Sequence, residues 1–201
     1  MKNSAVIFYL TAAFGTIVSC TSSYDPMDDY EELPSKKVVE TPQPTESVRF
    51  DPEQISRGQY LVSLLGCGSC HTDGALTGLP DKHKLLAGSG TGIAYSNPLV
   101  DPNPGVVYPS NLTPDIETGI GSWTREQIAT MVRSGIDNHG GRSLPVMPWP
   151  AYAKITQEDA LAIAAYLKSL PPVKHQVPDN VPRGQKAQAP FVHFGVYRSR
   201  P

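Results

Sequence analysis

The hydrophobic positions fall into three short helical stripes separated by one long stretch without period. The first stripe opens at Asp51-Pro52, an N-cap acceptor followed by the residue best suited to the first helical position. It continues through Ile55, Tyr60, Leu61, Leu64 and Leu65 on one apolar face. The second opens Trp123-Thr124-Arg125-Glu126-Gln127-Ile128. Thr124 and Gln127 are spaced for a capping box, Trp123 and Ile128 for a hydrophobic staple, and Gly135 is a suitable C-terminal stop. The third begins at Thr156, with Asp159 three residues on. It carries a broad stripe of Ala160, Leu161, Ile163, Ala164, Leu167 and Leu170 and ends at Pro171-Pro172. Three helices are predicted, and the fold class is all-α. Between the first two lie about fifty residues rich in Gly, Pro and Asn, with no alternation to predict a strand and no repeat. A loop that long inside a compact domain needs something to organise it, and three helices alone make a thin core.

Outside residues 51–173 the pattern changes. Residues 1–19 begin with Lys2 and an apolar run from Ala5 to Ile17, too short to span a bilayer comfortably, and read as an export signal. The run ends Ile17-Val18-Ser19-Cys20, which resembles the bacterial lipoprotein cleavage box, with Cys20 as the lipidated first residue of the mature chain. Two or three acyl chains there would hold the protein to a membrane, where one would be marginal. Residues 20–50 read as a disordered tether: Asp25, Asp28, Asp29, Glu31 and Glu32 cluster, and Pro34, Pro42 and Pro44 follow. Residues 174–201 read as a basic, Pro-rich tail, with Phe191, Phe194 and Tyr197 able to pack onto the domain or a partner. The expected location is the bacterial cell envelope, as a periplasm-facing lipoprotein of the inner or outer membrane.

Composition narrows the class further. The 201 residues include 20 Pro and 17 Gly, so much of the chain is loop or tether, and the net charge is −2. A nucleic-acid partner is not expected, because the basic face it requires is missing. Three Cys exclude a scaffold of several disulfides.

The chemistry lies directly after the first helix, in Cys67-Gly68-Ser69-Cys70-His71. C-x-x-C-H is the attachment pattern of c-type haem. Two thiols three residues apart reach the two vinyl groups of the porphyrin, and the adjacent His donates its imidazole as proximal ligand. A redox C-x-x-C pair needs a βαβ setting, and structural zinc usually needs four ligands; neither is present. One covalent haem c also completes the core. Burying several hundred Å² of porphyrin is worth on the order of 10 kcal/mol at ~25 cal/mol/Å².

The second axial ligand follows by elimination. Met1 leaves with the signal, Met27 sits in the tether, and Met131 lies mid-helix, where a core role is the better reading. Met147 lies in the Pro-stiffened stretch Leu144-Pro145-Val146-Met147-Pro148 and is the expected ligand. His139 is the alternative, and His83, His175 and His193 read as surface or tail residues. Tyr108, Asn111, Trp123, Arg133 and Arg142 are candidate contacts for the haem edge and propionates.

A series of motifs now carries a family resemblance: Gly58-Gln59-Tyr60-Leu61-Val62, CGSCH, Asn111-Leu112-Thr113-Pro114-Asp115, Thr118-Gly119-Ile120-Gly121-Ser122-Trp123-Thr124, Met147-Pro148 and Ala165-Tyr166-Leu167-Lys168-Ser169-Leu170-Pro171-Pro172. Over roughly 51–173 it resembles the class I cytochrome c domains of bacterial membrane-bound alcohol, aldehyde and gluconate dehydrogenases. The resemblance implies a mono-haem helical fold with His71 and Met147 as axial ligands, and packing of Asn111 to Trp123 around the haem edge. Such subunits typically repeat the domain three times, whereas this sequence holds one C-x-x-C-H.

The expected function is that of a tethered electron carrier. It would take electrons from a periplasmic dehydrogenase and pass them to a respiratory oxidase or reductase, with no catalytic residues of its own. A haem enzyme or ligand sensor with a displaceable distal ligand is the alternative, and a structural adaptor is a third class.

Overall fold

The computed structural model describes residues 39–45, 50–136 and 146–195. The expected export signal, Cys20 and most of the acidic segment lie outside them. All three predicted helices are present. Helix α1 (Pro52–Leu64) starts on Asp51, whose carboxylate accepts the Glu53 N–H at 2.7 Å. After a one-turn helix α2 (Gly68–His71) and a 3-10 turn at Ala75–Thr77 come two short strands, β1 (Gly92–Ala94) and β2 (Val106–Val107). Helix α3 (Arg125–Ser134) carries the full capping box: Thr124 Oγ1 accepts the Gln127 N–H, and Gln127 Oε1 accepts the Thr124 N–H. It ends at Gly135 with φ +67°. A four-residue helix α4 (Trp149–Tyr152) precedes α5 (Gln157–Ser169), and β3 (Phe191–His193) ends the described chain. Among the described residues no helix is long and apolar enough to cross a membrane.

The core forms where α1 crosses α5, with α3 against α5. Ile55, Leu61 and Val62 of α1, Ile128 of α3 and Ile163, Ala164, Tyr166 and Leu167 of α5 are buried together, and Leu86 and Ile120 join them from the long loop. The crossing is close because Gly58 has no side chain. A Cβ there would lie 2.0 Å from the Ala162 carbonyl oxygen and 2.7 Å from Tyr166 Cβ.

The all-α expectation holds in part: the helices build the core, and a three-stranded sheet in the order β2-β1-β3 accompanies them. β1 and β2 are antiparallel, with Ile93 opposite Val107, and β3 runs parallel to β1, with Val192 opposite Ile93. Strands of two or three residues are too short to show alternation, and β3 comes from the far end of the chain. The segment after residue 173 is no free tail. Val106 and Val181 exchange backbone hydrogen bonds at 2.9 and 2.8 Å, the Tyr108 hydroxyl donates to Ala189 O at 2.9 Å, and Arg183 pairs with Asp101. The prolines that rule out a helix there still permit edge strands and turns.

The described end of the acidic segment, residues 39–45, is likewise docked. Thr45 donates through both N–H and Oγ1 to Ser169 O, and the buried Tyr166 hydroxyl donates to Pro42 O. These contacts include a carbonyl at the C-terminal end of α5, where the helix supplies no donor.

Asn111 organises the long loop from inside. Its amide donates to Thr118 Oγ1 at 3.1 Å and Val173 O at 2.8 Å. Its oxygen accepts from Thr113 N and Oγ1 at 2.9 and 2.7 Å. All four hydrogen-bonding positions of this buried side chain are filled.

Candidate haem site

Helix α1 stops at Leu64, and Gly66, at φ +68°, reverses the chain into α2. This single turn carries Cys67, Cys70 and His71, with the His71 N–H donating to Cys67 O at 3.0 Å. Both thiols are free and half-buried. Burial pushes Cys67 up to about 11 and raises Cys70 as well. A dithiol redox pair needs the opposite shift, toward thiolate. Among the described residues no group of three His, Cys, Asp or Glu side chains could hold a bare metal ion, which sets structural zinc aside there.

His71 is buried, and burial holds its imidazole below the ordinary pKa, in the neutral form. Its Nδ1 lies 2.7 Å from the backbone oxygen of Ser110. A carbonyl only accepts, so Nδ1 carries the proton and Nε2 keeps its lone pair. This is the arrangement that orients an imidazole for a metal. The residues around it are fixed against the loop: Gly88 N–H donates to His71 O at 2.8 Å, Leu86 N–H to the buried Thr72 Oγ1 at 3.0 Å, and Gly90 N–H to Asp73 Oδ1 at 2.9 Å. Two unbridged thiols and a neutral, correctly protonated imidazole on one turn fit a covalently held haem.

Met147 is half-buried and lies immediately before α4, with Trp149 N–H donating to Met147 O at 2.8 Å. The loop that carries it is tied to the cysteine segment, because the Tyr152 hydroxyl donates to Leu65 O at 3.3 Å. Burial, with Cys67 and Cys70 nearby, pushes Tyr152 up to about 12.

The other described candidates lie on the long loop and on α3. The Tyr108 hydroxyl is engaged with Ala189, and the Asn111 amide is committed to the loop. Trp123 packs against the helical core. Arg133 donates through Nη1 to Gln157 Oε1 at 2.7 Å, while its Nε is buried without a partner. Trp123 precedes α3 and Arg133 lies near its C-terminal end. Arg142, His139 and Cys20 lie outside the described residues. His175, expected as a tail residue, instead donates through Nδ1 to Ala87 O at 2.9 Å. Its Nε2 is 3.7 Å from Asp73 Oδ2, which also accepts from Lys84 Nζ at 2.6 Å. No local pattern marks this contact, because it joins positions 102 residues apart.

No protein-family model matches the chain. Among curated proteins it is 36% identical over 152 residues to the fructose dehydrogenase cytochrome subunit of Gluconobacter japonicus, covering 74% of this chain and 27% of that one. It is 36% identical over 116 residues to the cytochrome c subunit of the quinone alcohol dehydrogenase of Gluconobacter oxydans strain 621H, 58% of this chain and 21% of that one. The gluconate 2-dehydrogenase cytochrome c subunit of Pantoea cypripedii is 34% identical over 112 residues, 56% of this chain and 22% of its own. The chain thus spans about a quarter of the length of these relatives. The relationship implies haem c as the cofactor. At 34–36% identity, the chain is a homologue of the cytochrome c subunits of bacterial fructose, alcohol and gluconate dehydrogenases.

Proposed function

We propose that the chain is a mono-haem class I cytochrome c that carries electrons from a dehydrogenase to a respiratory oxidase or reductase. The observation that carries the reading is His71, held neutral by burial, with its proton fixed on Nδ1 by the bond to Ser110 O so that Nε2 is free, and placed on one turn with two unbridged thiols. Haem c, when bound, supplies one-electron redox chemistry. Cys67 and Cys70 would hold it covalently, and His71 Nε2 and the Met147 thioether would ligate its iron. A thioether cannot act as acid or base, and this reading gives no residue a catalytic role.

Met147→Ala tests the ligand set. The oxidised wild type is expected to show the weak long-wavelength sulfur-to-iron band and to lose it in the variant. The variant should also bind carbon monoxide when reduced. Its reduction potential should fall by on the order of 0.1 V, a fraction of the ~0.8 V that axial ligands command. Ready carbon monoxide binding by wild type, with a spectrum unchanged by Met147→Ala, would overturn the assignment. The ligand-sensor or enzyme reading would then lead, with His139 next to test.

The same reading places the protein on the periplasmic side of the cell envelope, held through lipidated Cys20. Its support is the apolar run ending Ile17-Val18-Ser19-Cys20. Cys20→Ala should move most of the cytochrome from the membrane fraction to the soluble periplasm. Undiminished membrane association after fractionation would mean that another element does the holding.

A further inference from the structure

We propose that Tyr152 is a positioning residue that keeps the Met147 loop closed against the haem-attachment segment, and so keeps small ligands from displacing the thioether. The proposal rests on the reading of Met147 as axial ligand. Met147, Pro148 and α4 form one piece: Trp149 N–H donates to Met147 O at 2.8 Å, and Tyr152 N–H to Pro148 O at 3.1 Å. Four residues are too few to hold a helix on their own hydrogen bonds, so the piece depends on its tertiary anchors.

Two anchors are present. The Trp149 ring lies against Gly135, the C-terminal stop of α3, so closely that a Cβ there would be 2.8 Å from Trp149 Cε2. This ties the piece to α3. The second anchor is Tyr152, only 7% exposed, whose hydroxyl reaches Leu65 O two residues before Cys67. That carbonyl is one of those left open where α1 ends. The two anchoring rings also meet edge to face, centroids 6.4 Å apart at 89°. Of the two anchors, Tyr152 is the one that joins the Met147 loop to the segment carrying Cys67 and His71. Opening the loop breaks this bond, and the bond weights the equilibrium toward the closed form.

The test compares holo-protein of wild type, Tyr152→Phe, Met147→Ala and the double variant, with imidazole as the probe ligand. Tyr152→Phe keeps the ring, and with it the packing. It should retain the long-wavelength sulfur band at rest, yet bind imidazole to the oxidised protein about tenfold more tightly. Tenfold is 1.4 kcal/mol, within the usual net worth of one hydrogen bond. Hydrogen exchange at the Trp149, Tyr152 and Ala153 amides should quicken by a similar factor. In the Met147→Ala background, where no thioether remains to displace, Tyr152→Phe should add nothing.

Unchanged imidazole affinity and exchange in Tyr152→Phe would overturn the proposal and leave the Met147 reading intact. A full tenfold gain persisting in the double variant would also overturn it, since Tyr152 would then act on the pocket and not through the ligand loop. A sulfur band that survives in Met147→Ala would instead sink the Met147 reading, and the proposal with it.

Discussion

Gly58→Ala is expected to destabilise the folded protein by about 3 kcal/mol, the upper part of the range for overpacking a core. Helix propensity alone predicts the opposite sign, because alanine in mid-helix is favoured over glycine by up to ~1 kcal/mol. Packing decides. The new methyl would sit 2.0 Å from a backbone oxygen of α5 and 2.7 Å from Tyr166 Cβ. Neither is the free end of a flexible side chain, so α1 and α5 must separate along their contact. At ~2–4 °C per kcal/mol for a domain of this size, the melting temperature should fall by about 6–12 °C. Trimming Ala162 to glycine should not rescue it, because the obstructing atom is a carbonyl oxygen. Thermal unfolding of the holo-protein followed by circular dichroism measures the shift. An unchanged or raised melting temperature would mean that the helices do not cross at Gly58.

The larger effect is expected from replacing Cys67 and Cys70, the proposed haem anchors. In Cys67→Ala/Cys70→Ala the covalent haem should disappear from denaturing gels stained for haem, and most folded protein should disappear with it. The apolar burial contributed by a porphyrin is on the order of 10 kcal/mol at ~25 cal/mol/Å². That is as large as the whole stability of a typical domain, about 5–15 kcal/mol. The buried set spanning the helices and the long loop contains Ala164 beside four isoleucines and four leucines, and the long loop is also held by polar contacts such as those of Asn111. A stable, colourless, helical double variant would show that the protein core suffices without the porphyrin.

What could be read from the chain beforehand was what local rules govern. The helix starts at Asp51, Thr124 and Thr156 are stated by their own side chains and reproduced in the observed caps. The candidate attachment turn is written in five consecutive residues. Less legible was everything that joins distant positions. β3 pairs with β1 across about a hundred residues, His175 reaches Ala87 across 88, and Thr45 reaches Ser169 across 124. Pro- and Gly-rich composition correctly marked the C-terminal segment as non-helical, yet it could not tell a solvated tail from one laced to the loop by single bridges. Its motif makes Asn111 a haem-edge candidate. Only its partners show that its polar atoms are spent on the loop.

The acceptor that fixes the tautomer of His71 is a main-chain oxygen. No exchange of the Ser110 side chain can delete it, so the identity of residue 110 carries little of the information that shapes the imidazole. That information is held by the residues that set where the carbonyl lies: Gly88, whose missing Cβ would meet Pro109 O and Asn111 N at 2.9 Å, Leu86 in its left-handed conformation, and Asn111 itself. Selection for a ligand-ready imidazole therefore acts on the shape of a loop rather than on a letter in it. The basicity of the ligand is inherited through backbone geometry, at a position that would look neutral to anyone comparing sequences.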